Sequence, residues 1–159
     1  MITAKIIRFL HLLSYLCVTS QVLFYLIVFS DALKMTPLAN FLEQRKAVEQ
    51  IIAERYTIIY LACLILSLGV VFLSWRLNDR VFRITSIVAM LCLVADLSIA
   101  IFGNIPINKQ IADLTGQINL SQWEVSRTDW LRFFSYRGLF TTAGMLALLI
   151  GLIMEKKIE

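Results

Sequence analysis

Two asparagines bracket a proline at Asn104-Ile105-Pro106-Ile107-Asn108, directly after an apolar run that stops at Gly103. Side-chain amides both donate and accept hydrogen bonds, so this element can hold a polar group at the end of a greasy segment. Asp96 lies within the same run. An ionised carboxylate in such surroundings is costly and tends to face a protein interior. It reads equally as a functional acid–base group or as interhelical glue with Gln21. Further on, Trp123, Arg127, Trp130, Phe134 and Arg137 recur at spacings of four, three, four and three, which places them on one face of a helix. Aromatic faces and guanidinium groups in one stripe suit stacking and cation–π contact with a flat, acidic ligand. The competing reading is an aromatic belt with arginines at headgroup level. Arg137 immediately precedes a charge-free run and calls for a buried partner, for which Asp31 and Asn104 are expected at the right level.

The rest of the chemistry is narrowed by what the chain lacks. Cys17, Cys63 and Cys92 form no C-x-x-C pair, and each falls in an apolar run. They read as small buried hydrophobes. A single histidine, His11, and no carboxylate cluster argue against an all-protein transition-metal site. His11 itself reads as an interfacial residue. No internal repeat or broken helix suggests a transporter of the inverted-repeat type.

The elements that must position these residues follow from composition. Of 159 residues 59% are hydrophobic and only 16% charged, with mean hydropathy +0.78; a soluble domain of this length needs more charge. The runs at about 9–30, 56–75, 84–103 and 138–154 carry only Asp96 among them as a formal charge with His11 neutral. Each is close to the roughly 20 residues that span a bilayer as a helix, and lipid admits only helices or closed barrels. The expected fold is all-α, a single membrane domain of four spans in a bundle. Lys5, Arg8, Arg76, Arg80, Arg83, Lys156 and Lys157 crowd into little chain on one side, which predicts both termini in the cytoplasm. The basic balance is then a consequence of topology and requires no nucleic acid. The first span carries no clear cleavage pattern and reads as retained.

The outer side is expected to be built. Asn40 with Glu43, and Ser121 with Glu124, resemble capping boxes. The helices of the second and fourth spans are predicted to start there and to project roughly 20 Å beyond the bilayer. Asn104 is expected to cap a short outer helix with Pro106 in its first turn, after Gly103 ends the third span. Counting 1.5 Å per residue from the inner end of each run puts Gln21, Cys63, Asp96 and Thr141 or Thr142 at roughly 18–20 Å. Asp31, Arg55, Asn104 and Arg137 come out at roughly 25–33 Å. Two polar layers are therefore expected, one near mid-membrane and one at an outer mouth. Thr141, Gly144 and Gly151 give the last helix a small-residue edge for close packing.

The order VFSDAL, FLEQRKAVEQ, GNIPINKQI, then a tryptophan and DWLRFFSYRGLFTTA resembles the anthrone-oxygenase-like membrane family. This family consists mostly of small bacterial proteins with four predicted spans and is named for fungal members that oxidise anthrones to anthraquinones without a metal or organic cofactor. The resemblance runs from about Phe29 to Ala143. It matches Asn104, Pro106, Asn108, Trp123, Trp130 and Arg137, with Asp31 a weaker match. Family members often carry an asparagine three residues before the arginine, where this chain has Phe134. The resemblance implies a bacterial inner-membrane protein that needs no cofactor and oxidises an aromatic or quinone-like compound. Asp31 or Asp96 would act as base and Arg137 as the cation that stabilises the resulting anion. Asn104 and Asn108 would assist it, with Trp123, Arg127 and Trp130 forming the binding slot. The alternative on the same residues is a non-enzymatic protein whose mouth holds a lipid, a small ligand, a partner subunit or a second copy of the chain.

Overall fold

A computed structural model describes residues 2–113 and 120–154. Every regular element among them is helical: α1 (Ile2–Phe24), α2 (Ser30–Met35), α3 (Leu38–Arg76), α4 (Arg80–Ile99), α5 (Ile105–Asp113) and α6 (Leu120–Ile153). Helices α1 and α2 are joined by a π-helical turn, Tyr25–Phe29, and α4 and α5 by a second one, Ala100–Asn104. Four stretches are long and apolar enough to cross a membrane: Ala4–Ala32, Glu54–Arg76, Arg80–Ile111 and Trp123–Ile153. The chain is an all-α, four-helix integral membrane protein. Helices α1 and α4 lie at opposite corners of the bundle, each packing against both α3 and α6.

Local chemistry sets the element ends. Thr36 is extended before Pro37, as expected for a residue whose α conformation clashes with the following proline ring. Helix α3 therefore starts at Leu38, ahead of Asn40, and Asn40 is not its cap. Helix α6 likewise begins at Leu120, one residue before Ser121, and its cap lies outside the described residues. At the other end of the bundle, Asn78 takes a left-handed φ of 52°, which asparagine tolerates better than most residues. The Asp79 carboxylate then accepts the Phe82 amide at 3.1 Å and caps α4, satisfying one of the open N–H groups of its first turn.

The expected break at Gly103 does not occur. The Ile105 amide bonds to the Ala100 carbonyl, so the helix widens by one residue and continues. Proline removes a donor and crowds the carbonyl four residues back; the wider i→i−5 turn relieves both effects at Pro106. Gly103 has a packing role, since a Cβ there would lie 2.7 Å from the Phe133 ring.

Two apolar clusters fill the bundle. One, towards the end that carries the α3–α4 turn, contains Tyr15, Val18, Cys63, Ala89, Leu93 and Leu148. The other, towards the opposite end, contains Val22, Phe41, Ile111, Trp123, Trp130 and Phe134. Cys63 is buried as expected, but Cys17 is exposed on the outer face of α1. His11 is buried within the bundle, its Nε2 2.8 Å from Ser67 Oγ.

At Gly144 helix α6 packs tightly, since an added Cβ would collide with the Tyr15 hydroxyl and lie 3.0 Å from Cys92 Cβ. The Tyr15 hydroxyl is held there by the Ala89 carbonyl at 3.1 Å. Gly144→Ala is expected to destabilise by about 1–3 kcal/mol through overpacking, read as a lower thermal midpoint in detergent. Gly69→Ala, where nothing lies within 4 Å, should leave the midpoint unchanged or slightly raised. Equal behaviour of the two variants would contradict this packing.

Candidate functional site: a buried ion pair beside a lateral cavity

Three helices bring one polar residue each to the same level. Tyr60 lies sixteen residues before the end of α3 at Arg76, Asp96 sixteen after the start of α4 at Arg80, and Arg137 sixteen before the end of α6 at Ile153. At 1.5 Å per residue this is about 24 Å from the α3–α4 turn on every helix. Arg137 Nε donates to Asp96 Oδ1 at 2.7 Å, and Arg137 Nη2 donates to the Tyr60 hydroxyl at 2.7 Å. The Tyr60 hydroxyl donates in turn to Asp96 Oδ2 at 2.8 Å. The three groups close a ring in which both carboxylate oxygens are occupied. Asp96 is fully buried and Arg137 is 6% exposed.

These partners differ from those expected from the sequence. Asp31 is not the partner of Arg137: its side chain is 80% exposed and pairs with Lys34 at 2.8 Å, one turn along α2. Gln21 is not the partner of Asp96 either, and its Oε1 is buried without a hydrogen bond. The two amides of the Asn-x-Pro-x-Asn element do not reach Arg137. Asn104 Nδ2 donates to the Trp130 carbonyl at 3.1 Å, and Asn108 Oδ1 accepts from Trp130 Nε1 at 2.8 Å. Trp130 is thus clamped from both ends by α5 and the turn before it. Trp123 and Trp130 are both 3% exposed and pack into the outer cluster, Trp123 on Phe41 at 4.6 Å and Trp130 on Phe134 at 4.3 Å. They form neither an exposed belt nor an open wall. Arg127 sits apart from the ring, its Nη1 donating to the Lys34 carbonyl at 3.2 Å.

Beside the ring lies a cavity of about 500 Å³ between α3 and the α4–α5 rod. Tyr60 and Arg137 line its inner wall with Gln21; Asn108 and Lys109 line it towards the outer end. The remaining lining is mainly apolar, and Leu61, Ile101 and Ile105 on it are also exposed on the outside of the bundle. A cleft between two spans, rimmed by exposed apolar side chains, faces the bilayer. Asp96 does not line it. The volume lies within the range of about 300–1,000 Å³ typical of small-molecule pockets. Arg137 has five N–H donors, of which Nη1 serves neither bond of the ring. Asn108 keeps its own NH₂ after accepting from Trp130. The cavity therefore presents donors to whatever enters it. Among the described residues no group of three His, Cys, Asp or Glu side chains is gathered as a metal would require.

Comparison with family models, curated proteins and solved structures finds no match to this chain.

Removing one partner of a buried ion pair leaves the other charge stranded, at a cost of about 3–5 kcal/mol. Asp96→Leu and Arg137→Leu are each expected to lose that much in denaturant unfolding, whereas the double variant should lose clearly less than the two single losses combined. Additive losses would show that the side chains do not interact. Tyr60→Phe, which strips one donor from the carboxylate, should cost about 1–3 kcal/mol.

Proposed function

We propose that this protein binds a small amphipathic molecule, aromatic or quinone-like, in the lateral cavity. Its apolar body would lie between α3 and α4, and an oxygen acceptor would point at Arg137 and Tyr60. The observation that carries this reading is the conjunction of an apolar, lipid-facing cavity of about 500 Å³ with a buried guanidinium on its wall. A compound dissolved in the bilayer reaches such a cleft without leaving lipid, and a hydrogen-bond acceptor on it gains most where water is scarce. The dense basic residues at the end carrying the α3–α4 turn support an orientation with that end in the cytoplasm; a bacterial inner membrane as the location is proposed on the family resemblance alone.

Binding without chemistry is the form of the proposal that the geometry favours. Oxidation of an anthrone-like compound requires a base that faces the substrate to remove an acidic proton. Asp31 is out on the surface beside Lys34. Asp96 spends both oxygens on Arg137 and Tyr60 and is absent from the cavity wall. Arg137 and Tyr60 supply the anion-stabilising half of such a reaction and not the proton-abstracting half.

The test is mass spectrometry of an organic extract from protein purified in mild detergent. A stoichiometric aromatic or quinonoid compound is expected from the wild type. It should be lost from Ala100→Phe, which narrows the cavity while leaving every residue of the ion pair unchanged, with the thermal midpoint measured alongside to show that the variant folds. Retention of the same compound by Ala100→Phe would place it elsewhere, and an extract containing only bulk lipid would count against the cavity as a ligand site. Oxygen consumption on adding an anthrone to the wild type would overturn the non-catalytic form.

A further inference from the structure

Gln21, on α1, lines the lateral cavity together with Arg137. Where α1 crosses α6, a Cβ added at Gly138 would lie 3.7 Å from Val22 Cγ1. Gln21 and Arg137 immediately precede these two residues, so the amide and the guanidinium stand at neighbouring levels of the bundle. The Gln21 Oε1 is buried, and no hydrogen bond reaches it. An amide carbonyl oxygen accepts hydrogen bonds and does not donate them, and leaving such an acceptor unpaired in a buried place is costly. The hydrocarbon region of a bilayer offers it no donor. The cavity wall thus carries an acceptor without a partner beside a guanidinium whose Nη1 serves neither bond of the ring.

We infer that Gln21 selects the ligand by accepting a hydrogen bond from it, so that the cavity takes a phenol or hydroquinone in preference to a fully oxidised quinone or an aryl ether. The inference rests on the lateral cavity being the ligand site proposed above. A phenolic hydroxyl serves both groups at once: its oxygen accepts from Arg137 and its hydrogen goes to Gln21 Oε1. A quinone carbonyl or an ether oxygen answers the guanidinium and leaves the amide oxygen unpaired. No bond holds Oε1 in place, and the last side-chain torsion of glutamine is broad. A turn of the amide therefore brings the oxygen to the cavity side without breaking a bond to it. Gln21 is in this sense a specificity-determining residue, with no part in chemistry on the ligand.

Binding of thymol, a lipophilic phenol, and of thymol methyl ether, measured by isothermal titration calorimetry on the full chain in one detergent, tests the assignment. Micelles take up each probe to the same extent whichever variant is present, so the ratio of the two affinities is compared between variants. From wild type to Gln21→Leu this ratio is expected to fall about tenfold, through weaker thymol binding with the ether unchanged. The thermal midpoint of ligand-free Gln21→Leu is expected to stay level or rise, since leucine replaces an unpaired amide. An unchanged ratio would overturn the inference: if both probes weaken alike the amide acts as a donor, and if neither weakens it does not touch the ligand. A lower midpoint would overturn it as well, by showing the amide bonded within the chain. Ala100→Phe separates this inference from the reading beneath it, because both probes should be lost from that variant. Persistence of both there, or failure of the wild type to bind either, would overturn the cavity reading and this inference with it. Loss of both in Ala100→Phe with an unchanged ratio in Gln21→Leu would remove the role of Gln21 and leave the cavity reading standing.

Discussion

A carboxylate and a guanidinium, both buried inside an apolar four-helix bundle, impose the constraint on which the rest of the structure depends. Either group alone is expensive in a membrane interior. Together, with a tyrosine hydroxyl closing the ring, each charge meets an opposite one and each carboxylate oxygen has a donor. The arrangement works only if α3, α4 and α6 keep a common register, so the ring specifies how the helices align along the membrane normal. Uniformly apolar helices in lipid have little to fix such alignment. The small-residue contacts of α6 with Tyr15, Cys92 and Thr85 fix how close the helices come; the ring fixes where along their length they meet.

The cavity follows from the same arrangement. Beyond the ring, the continuous α4–α5 rod is tied to α6 by the two bonds between Trp130 and the asparagines. A cleft remains on its other side, against α3, into which Arg137 and Tyr60 project. The π turn at Ala100–Asn104 makes this possible because it carries the helix past Pro106 without a break and presents both amides to one indole. The outer aromatic cluster thus acts as a fixed wall that leaves an opening towards lipid. The opening lies in the side of the bundle and not at its outer mouth.

Much of the architecture was legible in the sequence. The four apolar runs, with Asp96 their single formal charge, indicate four spans, and the unbroken stretches before the second and fourth anticipate the long helices α3 and α6. Asp96 and Arg137 stand out because each is a charge next to or within a run that should not hold one. Their pairing was hidden by a choice of origin. Counting from Ile84, the first residue of the apolar run, places Asp96 about a turn too shallow, because the helix already begins at Arg80 behind the Asp79 cap. Counted from the helix ends, Tyr60, Asp96 and Arg137 are equidistant, and a tyrosine hydroxyl within a span that needs a partner becomes visible as the third member. The Asn-x-Pro-x-Asn element misled for a different reason. Glycine, asparagine and proline in series read as a helix end, and nothing local announces that a π turn will absorb the proline. The burial of Trp123 and Trp130 was likewise beyond local pattern, since an aromatic stripe on one helix looks the same whether it faces lipid, ligand or Phe41.

Arg137 holds Asp96 in the membrane as an ionised carboxylate and not as a neutral acid. Infrared spectroscopy of the protein in lipid, as the difference between wild type and Asp96→Asn, reads this directly. Loss of carboxylate stretching bands, with no loss in the carbonyl region of a protonated acid, is the expected result. A protonated-acid carbonyl band present in the wild type and absent from Asp96→Asn would contradict the ion pair and with it the register that the ring imposes.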